Sequence, residues 1–503
     1  MPSSQPIMFQ GTHSDAGKSV IVTAFCRIFS QDGYKTAPFK SQNMALNSYI
    51  TVDGKEIGRA QGVQAEAANI QATTDMNPIL IKPNRENESQ IVVHGKPFKN
   101  MEAGAYRRDF FDTGIQLIQQ SLINLNKRYD RIVIEGAGSP AEVNLNDREL
   151  VNMRVARMAN APVVLIGDIE KGGVFASLVG TLQLLEKEDH NRVIGVIINK
   201  FRGDLSLLQP GLSWFEEYTG KKVLGVIPHL PNLNIDAEDS VILNQYTHKQ
   251  NSEKEIDIAV IQYPKISNFT DLDPFTVEED CHIRYVSSAK ELKQPDLVIL
   301  PGSKNTIEDL LFLKNSGLAD KLESLRQKGN TFFFGICGGY QMLGSEVHDP
   351  LSIESPFVTS KGLQFVPLQT TITKEKTTTL SQGIVIFQNN RFEVKGYEIH
   401  MGITKFEGNI KPFIKKTTEL DGCMSYNEKI IGTYFHGIFH NDPFRESYIN
   451  HIREFKGLAP IYRRPSYVDI REEAYDRLAD HVRHHVDLEY IETKMKEYQQ
   501  AAT

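Results

Sequence analysis

PIMFQGTHSDAGKSVIVTAFCRIFS (6–30) decides the fold of the front half of the chain. A short apolar run, a glycine-bounded loop ending in Gly17, Lys18 and Ser19, and an apolar helix-like run follow one another directly. Strand, phosphate loop and helix succeed each other in this way in nucleotide-binding α/β domains. Five residues separate Gly11 from Gly17, so the loop is a lengthened variant of the common pattern. The chemistry survives the extra residue. Glycine lets the backbone turn tightly, and N–H groups at the start of a helix face phosphate oxygens. Gly11, Thr12, Gly17, Lys18 and Ser19 are therefore the candidate nucleotide contacts, with Lys18 neutralising phosphate charge and Ser19 placed to ligate Mg²⁺. A glycine turn that only caps a helix is the bland alternative, and the ordered succession of strand, loop and helix argues against it.

Outward from this segment the same alternation continues. YKTAPFK (34–40), RIVIEG (131–136), PVVLIGD (162–168) and VIGVIIN (193–199) read as buried strands separated by helical stretches. That rhythm predicts a parallel, doubly wound sheet. YTHKQNSEKEI (246–256) is polar and reads as a linker, after which IDIAVIQ (256–262), PDLVILPG (295–302) and NTFFFGIC (330–337) restart the pattern. GIVIFQ (383–388), GYEIHMG (396–402) and IIGTYFHGIF (430–439) suggest further strands, and the charged stretch from about 465 reads as helical. The expected division is a nucleotide-binding domain at 1–245, a linker at 246–256, a second α/β domain at 257–450 and a helical extension at 451–503.

Composition bounds the function classes. The 503 residues are 40% hydrophobic and 24% charged, with a formal net charge of −7, which suits a globular multidomain protein and disfavours nucleic acid as the main partner. No apolar run approaches the roughly 18 residues that a membrane span needs. The N-terminal residues lack a basic stretch followed by an apolar one, so no secretory signal is read. Four cysteines without CxxC or zinc spacing fit a reducing, cytoplasmic setting.

One cysteine stands apart. FFFGICGGYQMLG (332–344) runs an apolar strand into Gly335, Cys337, Gly338 and Gly339 and then into a helix-like stretch. Small neighbours permit the strained turn that exposes a nucleophile, and a following helix N-terminus favours the thiolate. The Gly338 N–H is a candidate oxyanion donor, and Gly302, in LPGSKNTIEDL (300–310), is a second. A thiol nucleophile needs a base. TYFHGIFHND (433–442) offers His436 and His440, of which His436 ends a strand-like run. A buried apolar cysteine is the plain alternative, and the flanking glycines argue against it.

These residues carry two resemblances. The lengthened loop resembles dethiobiotin synthetase and its relatives, which activate a carboxylate with ATP as an acyl phosphate for attack by an amine. Under that resemblance Glu135 is a second Mg²⁺ contact, and Asn199 and Lys200 lie near the adenine. The Cys337 and His436 set resembles class I glutamine amidotransferases of the triad type, which often carry Glu two residues after the His. Ile438 stands there in this chain. A different residue, with Asp442 as a candidate, a backbone group, or a Cys–His dyad with no third member remain open as answers.

Longer segments narrow the resemblance. FKSQNMALNS (39–48), MNPILIKP (76–83), EGAGSPAEVNL (135–145), GDIEKGGVFASLVGT (167–181), GVIPHLPNL (225–233), LPGSKNT (300–306), GYEIHMG (396–402) and HGIFHND (436–442) together resemble the cobyric acid synthase family from about residue 7 to residue 450. The resemblance implies ATP- and glutamine-dependent amidation of four carboxylates of a corrinoid in cobalamin biosynthesis. Its partners are then small molecules (glutamine, ATP and corrinoid), with no nucleic acid and no membrane, and the oligomeric state stays open. Lys40, Gln42, Asn43, Lys82 and Asp168 are candidate substrate contacts, because ligands gather at the carboxyl ends of parallel strands. A solvated loop or a structural hydrogen bond is the equal alternative for all five. Lys171 stands where the family pattern has Arg, keeping the charge without the planar fork. Two rivals are a cobyrinic acid a,c-diamide synthase and a ParA- or MinD-like ATPase switch. The second leaves Cys337 without a purpose, and Thr12, His13 and Ser14 stand where its early loop lysine would be.

Overall fold

A computed structural model describes residues 4–85, 87–231, 233–236, 251, 253–408, 410–425 and 427–501. Most of the expected linker, residues 246–250 and 252, lies outside them. The chain divides into two compact units. The first comprises Met1–Ala45, Lys55–Glu238 and Arg471–Thr503, and the second comprises Leu46–Gly54 and Asp239–Ile470.

The first unit is built on six parallel strands. Their spatial order is Lys222–Pro228, Val193–Phe201, Val163–Asp168, Gln5–Gly11, Arg131–Glu135 and Thr36–Phe39. The chain starts at Gln5–Gly11, winds to the Thr36–Phe39 edge, and later crosses to finish at the Lys222–Pro228 edge, which is the doubly wound arrangement. The five strands read from the sequence are all present within a few residues of the expected bounds. Lys222–Pro228 was not read, because it is only partly buried and its apolar run is short. Near-continuous apolar runs are what a strand covered on both faces requires. Gln5–Gly11 and Arg131–Glu135 are accordingly buried almost throughout.

The core of this unit joins Ile7, Phe9, Phe25, Val133, Val164 and Ile197 to Leu478, Val482, Ile491 and Met495. The last four come from the helices Tyr467–His485 and Leu488–Gln500. The residues from Arg471 onward therefore complete the first unit. A smaller sheet orders Gln42–Met44, Ile79–Arg85, Glu88–Val93 and Lys96–Glu102.

The second unit contains a six-stranded sheet in the order Cys281–Val286, Ile256–Ile261, Leu297–Leu300, Phe332–Ile336, Ile430–Thr433 and Cys423–Met424. Five strands are parallel, and Cys423–Met424 joins the edge antiparallel. A second sheet is dominated by the long hairpin Leu368–Phe387 and Asn390–Phe406. The GIVIFQ and GYEIHMG segments lie inside that hairpin. Its polar, threonine-rich middle hid the true strand length, since many of those residues face solvent.

Candidate active site

The strand Phe332–Ile336 is fully buried between Leu297–Leu300 and Ile430–Thr433. It ends at Cys337, whose φ of 51° and ψ of −109° lie outside the regions an L-residue ordinarily occupies. The strained residue is held from both sides. Its own N–H donates to the Thr433 carbonyl at 2.8 Å, and the Gly339 N–H donates to the Pro301 carbonyl at 3.0 Å. A Cβ on Gly339 would run into the Leu300 carbonyl, and one on Gly338 would meet the Ser303 nitrogen at 2.8 Å. The elbow glycines thus let the cysteine turn press against the Gly302–Ser303 backbone. The helix that follows, Gly338–Leu343, is a short one.

His436 enters from the strand Phe435–His436, paired with Tyr397 across the second sheet. The imidazole is fully buried and held two ways. Its Nδ1 meets Asp271 Oδ2 at 2.6 Å, and Asp271 Oδ1 accepts the Gly437 N–H at 2.9 Å. The Tyr397 ring stacks on it with centroids 4.9 Å apart and planes 11° apart. Burial disfavours the charged imidazolium, but the Asp271 carboxylate more than offsets that, and the nearby Cys337 sulfur adds to the effect. The group is pushed up to about 10. His436 Nε2 is buried and makes no hydrogen bond, while Cys337 Sγ donates to the Ile399 carbonyl at 3.5 Å. A Cβ on Gly302 would lie 3.4 Å from His436 Cε1. Cys337, Gly302, Gly338 and the open edge of His436 are thus gathered in one place.

The candidate orienter Asp442 is a correction to the sequence reading. Asp442 does not orient the histidine, for it accepts from Arg445 Nη1 at 2.7 Å and from the Tyr467 N–H at 3.2 Å. A carboxylate does hold Nδ1, and it is Asp271, which lies 165 residues earlier in the chain. It sits in the turn of 3₁₀ helix Phe269–Val277, entered through Asn268 in the left-handed conformation. Ile438 is fully buried, an environment that would disfavour an unpaired glutamate. His440 Nε2 instead meets the Thr270 carbonyl at 3.1 Å. The one sequence signal for Asp271 was the pair of aspartates in NFTDLDPF (268–275), which is equally the composition of a solvated turn.

In the first unit the loop after Gln5–Gly11 folds around Lys18. The ammonium donates to the His13 carbonyl at 3.0 Å and to the Gly138 carbonyl at 3.4 Å. A Cβ on Gly11 would meet both the His13 carbonyl and Lys18 Nζ at 2.9 Å, so glycine is needed for the loop to close. The Thr12 N–H is tied to the Ile166 carbonyl at 3.0 Å, and Gly17 has a φ of 93°. Ser19 Oγ donates to Glu135 Oε1 at 2.9 Å. A serine hydroxyl beside a carboxylate is a hard-oxygen donor pair of the kind Mg²⁺ prefers, so these residues fit a magnesium–nucleotide complex. Among the described residues no cluster of three His, Cys, Asp or Glu side chains could hold a metal alone.

The remaining front residues all have protein partners. Lys40 Nζ donates to Glu135 Oε1 at 2.9 Å, and Gln64 Nε2 donates to Glu135 Oε2 at 2.6 Å. Gln64 was missed from the sequence, where only its spacing from Gln61 on the helix Arg59–Ala67 marked it. Asn43 donates to Gln61 Oε1 at 2.9 Å, Gln42 Oε1 accepts from the Tyr106 hydroxyl at 2.7 Å, and Lys82 pairs with Glu56 at 2.5 Å. Asn199 Nδ2 donates to the Ala16 carbonyl at 3.0 Å, bracing the loop. Lys200 reaches both the Asp15 carbonyl and Asp168 Oδ2 at 2.8 Å. Burial alone would raise the Asp168 carboxyl, but the Lys200 ammonium and the Glu170 N–H bring it below its ordinary value. Burial and the charge of Lys171 together lower His13.

No helix among the described residues is long and apolar enough to cross a membrane. All four cysteines are buried and free.

Comparison with known proteins places both halves. Residues 7–242 match the family described as a CobQ/CobB/MinD/ParA nucleotide binding domain, and residues 257–444 match the CobB/CobQ-like glutamine amidotransferase domain. A cobyric acid synthase from Geobacillus sp. (strain WCH70) is 66% identical over 99% of both chains. One from Anoxybacillus flavithermus (strain DSM 21510 / WK1) is 62% identical over the same share. One from Thermoanaerobacter sp. (strain X514) is 47% identical over 98% of this chain and 99% of its own. With a nucleotide-binding half, a glutamine amidotransferase half and relatives of this closeness along nearly its whole length, the chain belongs to the cobyric acid synthase family of glutamine-hydrolysing carbon–nitrogen ligases.

Proposed function

We propose that the protein uses ATP and glutamine to amidate the four b, d, e and g carboxylates of adenosylcobyrinic acid a,c-diamide, giving adenosylcobyric acid in the cytoplasm. The family supports the substrate, and the buried Cys337, His436 and Asp271 set is the observation that supports the mechanism.

In this reading His436 holds the proton drawn from Cys337 as an imidazolium, and the thiolate attacks the side-chain amide carbon of glutamine. The Asp271 carboxylate holds the tautomer and stabilises the imidazolium. The tetrahedral oxyanion lies against the backbone N–H groups of Gly338 and the Gly302–Ser303 turn. Collapse expels ammonia with the proton returned from His436, leaving a glutamyl thioester. Water, deprotonated by the same imidazole, then releases glutamate and restores the thiol.

Ammonia is consumed by the nucleotide-binding half. A corrinoid carboxylate oxygen attacks the γ-phosphorus of ATP, giving an acyl phosphate and ADP. Ammonia then attacks the acyl carbon, and phosphate leaves as the amide forms. Gly11, Thr12, Gly17 and Lys18 cradle the phosphates, and Asn199 braces the loop from behind. Ser19 and Glu135 would hold Mg²⁺, which when bound neutralises phosphate charge. Lys40 stands on Glu135 at the strand end, where a substrate carboxylate would arrive, with Gln42, Asn43, Lys82 and Asp168 as further candidate contacts. Producing ammonia within the same protein matters chemically. Free ammonia is mostly ammonium at neutral pH, and proximity raises its effective concentration while the intermediate is kept from water.

The test is an assay with Mg-ATP, glutamine and adenosylcobyrinic acid a,c-diamide, with amides counted by mass spectrometry and Cys337→Ser run alongside. Four added amides, lost with glutamine but kept with ammonium salts in the variant, are expected. Turnover of ATP and glutamine that leaves this diamide untouched would refute the substrate.

A further inference from the structure

Residues 46–54 lie early in the sequence, yet they belong to the unit that carries Cys337. Three contacts place them there. The Ser48 N–H donates to Asn268 Oδ1 at 2.9 Å in a buried bond. Asn268, at φ 52° and ψ 38°, opens the turn that presents Asp271, and its own carbonyl accepts the Asp271 N–H at 3.2 Å. Ile50 is buried in a small cluster with Tyr397 and Ile399. Gly54 closes the segment over the hairpin, where a Cβ would stand 3.2 Å from the carbonyl of Thr378, the register partner of Ile399.

These contacts fall on two supports of the histidine. Asn268 leads into Asp271, which fixes Nδ1. Tyr397 stacks on the ring, and the Ile399 carbonyl, two residues on, receives the Cys337 thiol. Shortening Ile50 would leave a void behind the Tyr397 ring, and losing the Asn268 acceptor would free the entry to the Asp271 turn. We propose that residues 46–54 are a positioning element of the glutaminase centre, with Ser48 and Ile50 holding Asp271 and Tyr397 where they orient His436. This inference rests on the reading of Cys337 and His436 as the glutaminase pair.

The experiment uses the full chain with Ile50→Ala, Ile50→Val, Asn268→Gly and Cys337→Ser. Asn268→Gly keeps the left-handed backbone and removes only the acceptor. Ile50→Ala and Asn268→Gly are expected to lower kcat for glutamine hydrolysis about tenfold, with KM and ammonia-driven amidation changed by less than about twofold. Ile50→Val should recover most of the rate. The rate of Cys337 alkylation by iodoacetamide against pH should shift in the two slow variants, because the imidazole that faces the thiol is less well held. An unchanged kcat in both variants, or an equal fall in glutamine- and ammonia-driven turnover, would overturn the proposal. Cys337→Ser separates the two levels. Glutamine hydrolysis that survives it overturns the centre itself, and with it this inference. Hydrolysis lost there but intact in Ile50→Ala and Asn268→Gly overturns the positioning role alone.

Discussion

Replacing Asp271 by Asn keeps the shape of the side chain and removes its charge. The wild-type carboxylate spends one oxygen on His436 Nδ1 at 2.6 Å and the other on the Gly437 N–H at 2.9 Å, and both side chains are buried. A hydrogen bond to a charged group in such a place contributes about 1.5–3 kcal/mol. The imidazolium must keep its proton while the thiolate attacks and then deliver it to the leaving ammonia, so the loss of this interaction should appear in kcat. At about 1.4 kcal/mol per factor of ten, the upper end corresponds to about a hundredfold fall in glutamine hydrolysis. Ammonia-driven amidation should hold its wild-type rate. The pH titration of the His436 imidazole supplies a second readout. The carboxylate is what raises this group to about 10, so the variant should titrate nearer the ordinary 6.5. A glutaminase kcat that stays at the wild-type value, or an imidazole titration that does not move, would refute the role given to Asp271.

Lys18→Ala should cut both glutamine- and ammonia-driven amidation by about a hundredfold, because a preorganised cation facing the transferred phosphoryl group is lost; glutamine hydrolysis measured without ATP should persist. Gly339→Ala drives a Cβ into the Leu300 carbonyl, so the second unit should lose about 1–3 kcal/mol, read as a lower urea midpoint at unchanged slope. The folded-state imidazole of His436 is held above its ordinary value, so its contribution to stability is complete below pH 6.5 and is lost as the pH rises through about 10. Thermal unfolding of the wild type should therefore weaken more between those limits than that of Asp271→Asn.

Which parts of this molecule could be read from sequence follows from the range of the constraint. The phosphate loop and the cysteine elbow are local. Each must turn a strand into a helix within a few residues, and the glycines that allow it are adjacent in the chain. Buried parallel strands are local as well, since a strand covered on both faces is apolar along its length. Lys222–Pro228 broke that pattern by being only partly buried, and the hairpin Leu368–Phe387 broke it by facing solvent through its middle. The helices that close the chain were legible as helices. What they cover was not, because Leu478, Val482, Ile491 and Met495 meet the first strands only through the fold.

Asp271 belongs to the opposite kind. An orienting carboxylate needs only to arrive at Nδ1 with the right geometry, and no neighbour in the chain has to change to allow it. Position two after the histidine is one route to that place, but here a buried isoleucine fills it, and a turn from another part of the same unit supplies the charge. The consequence reaches further back along the chain. A carboxylate borne on a turn needs that turn held, and Asn268, the residue opening it, is held by the backbone of Ser48. The histidine is thus supported by residues whose sequence neighbours lie in the nucleotide-binding half. A division of the chain at one linker groups Ser48 and Ile50 with the nucleotide-binding half, whereas Leu46–Gly54 packs in the unit that carries Cys337. The contacts to Asn268, Tyr397 and Ile399 assign them instead to the cysteine's side of the reaction.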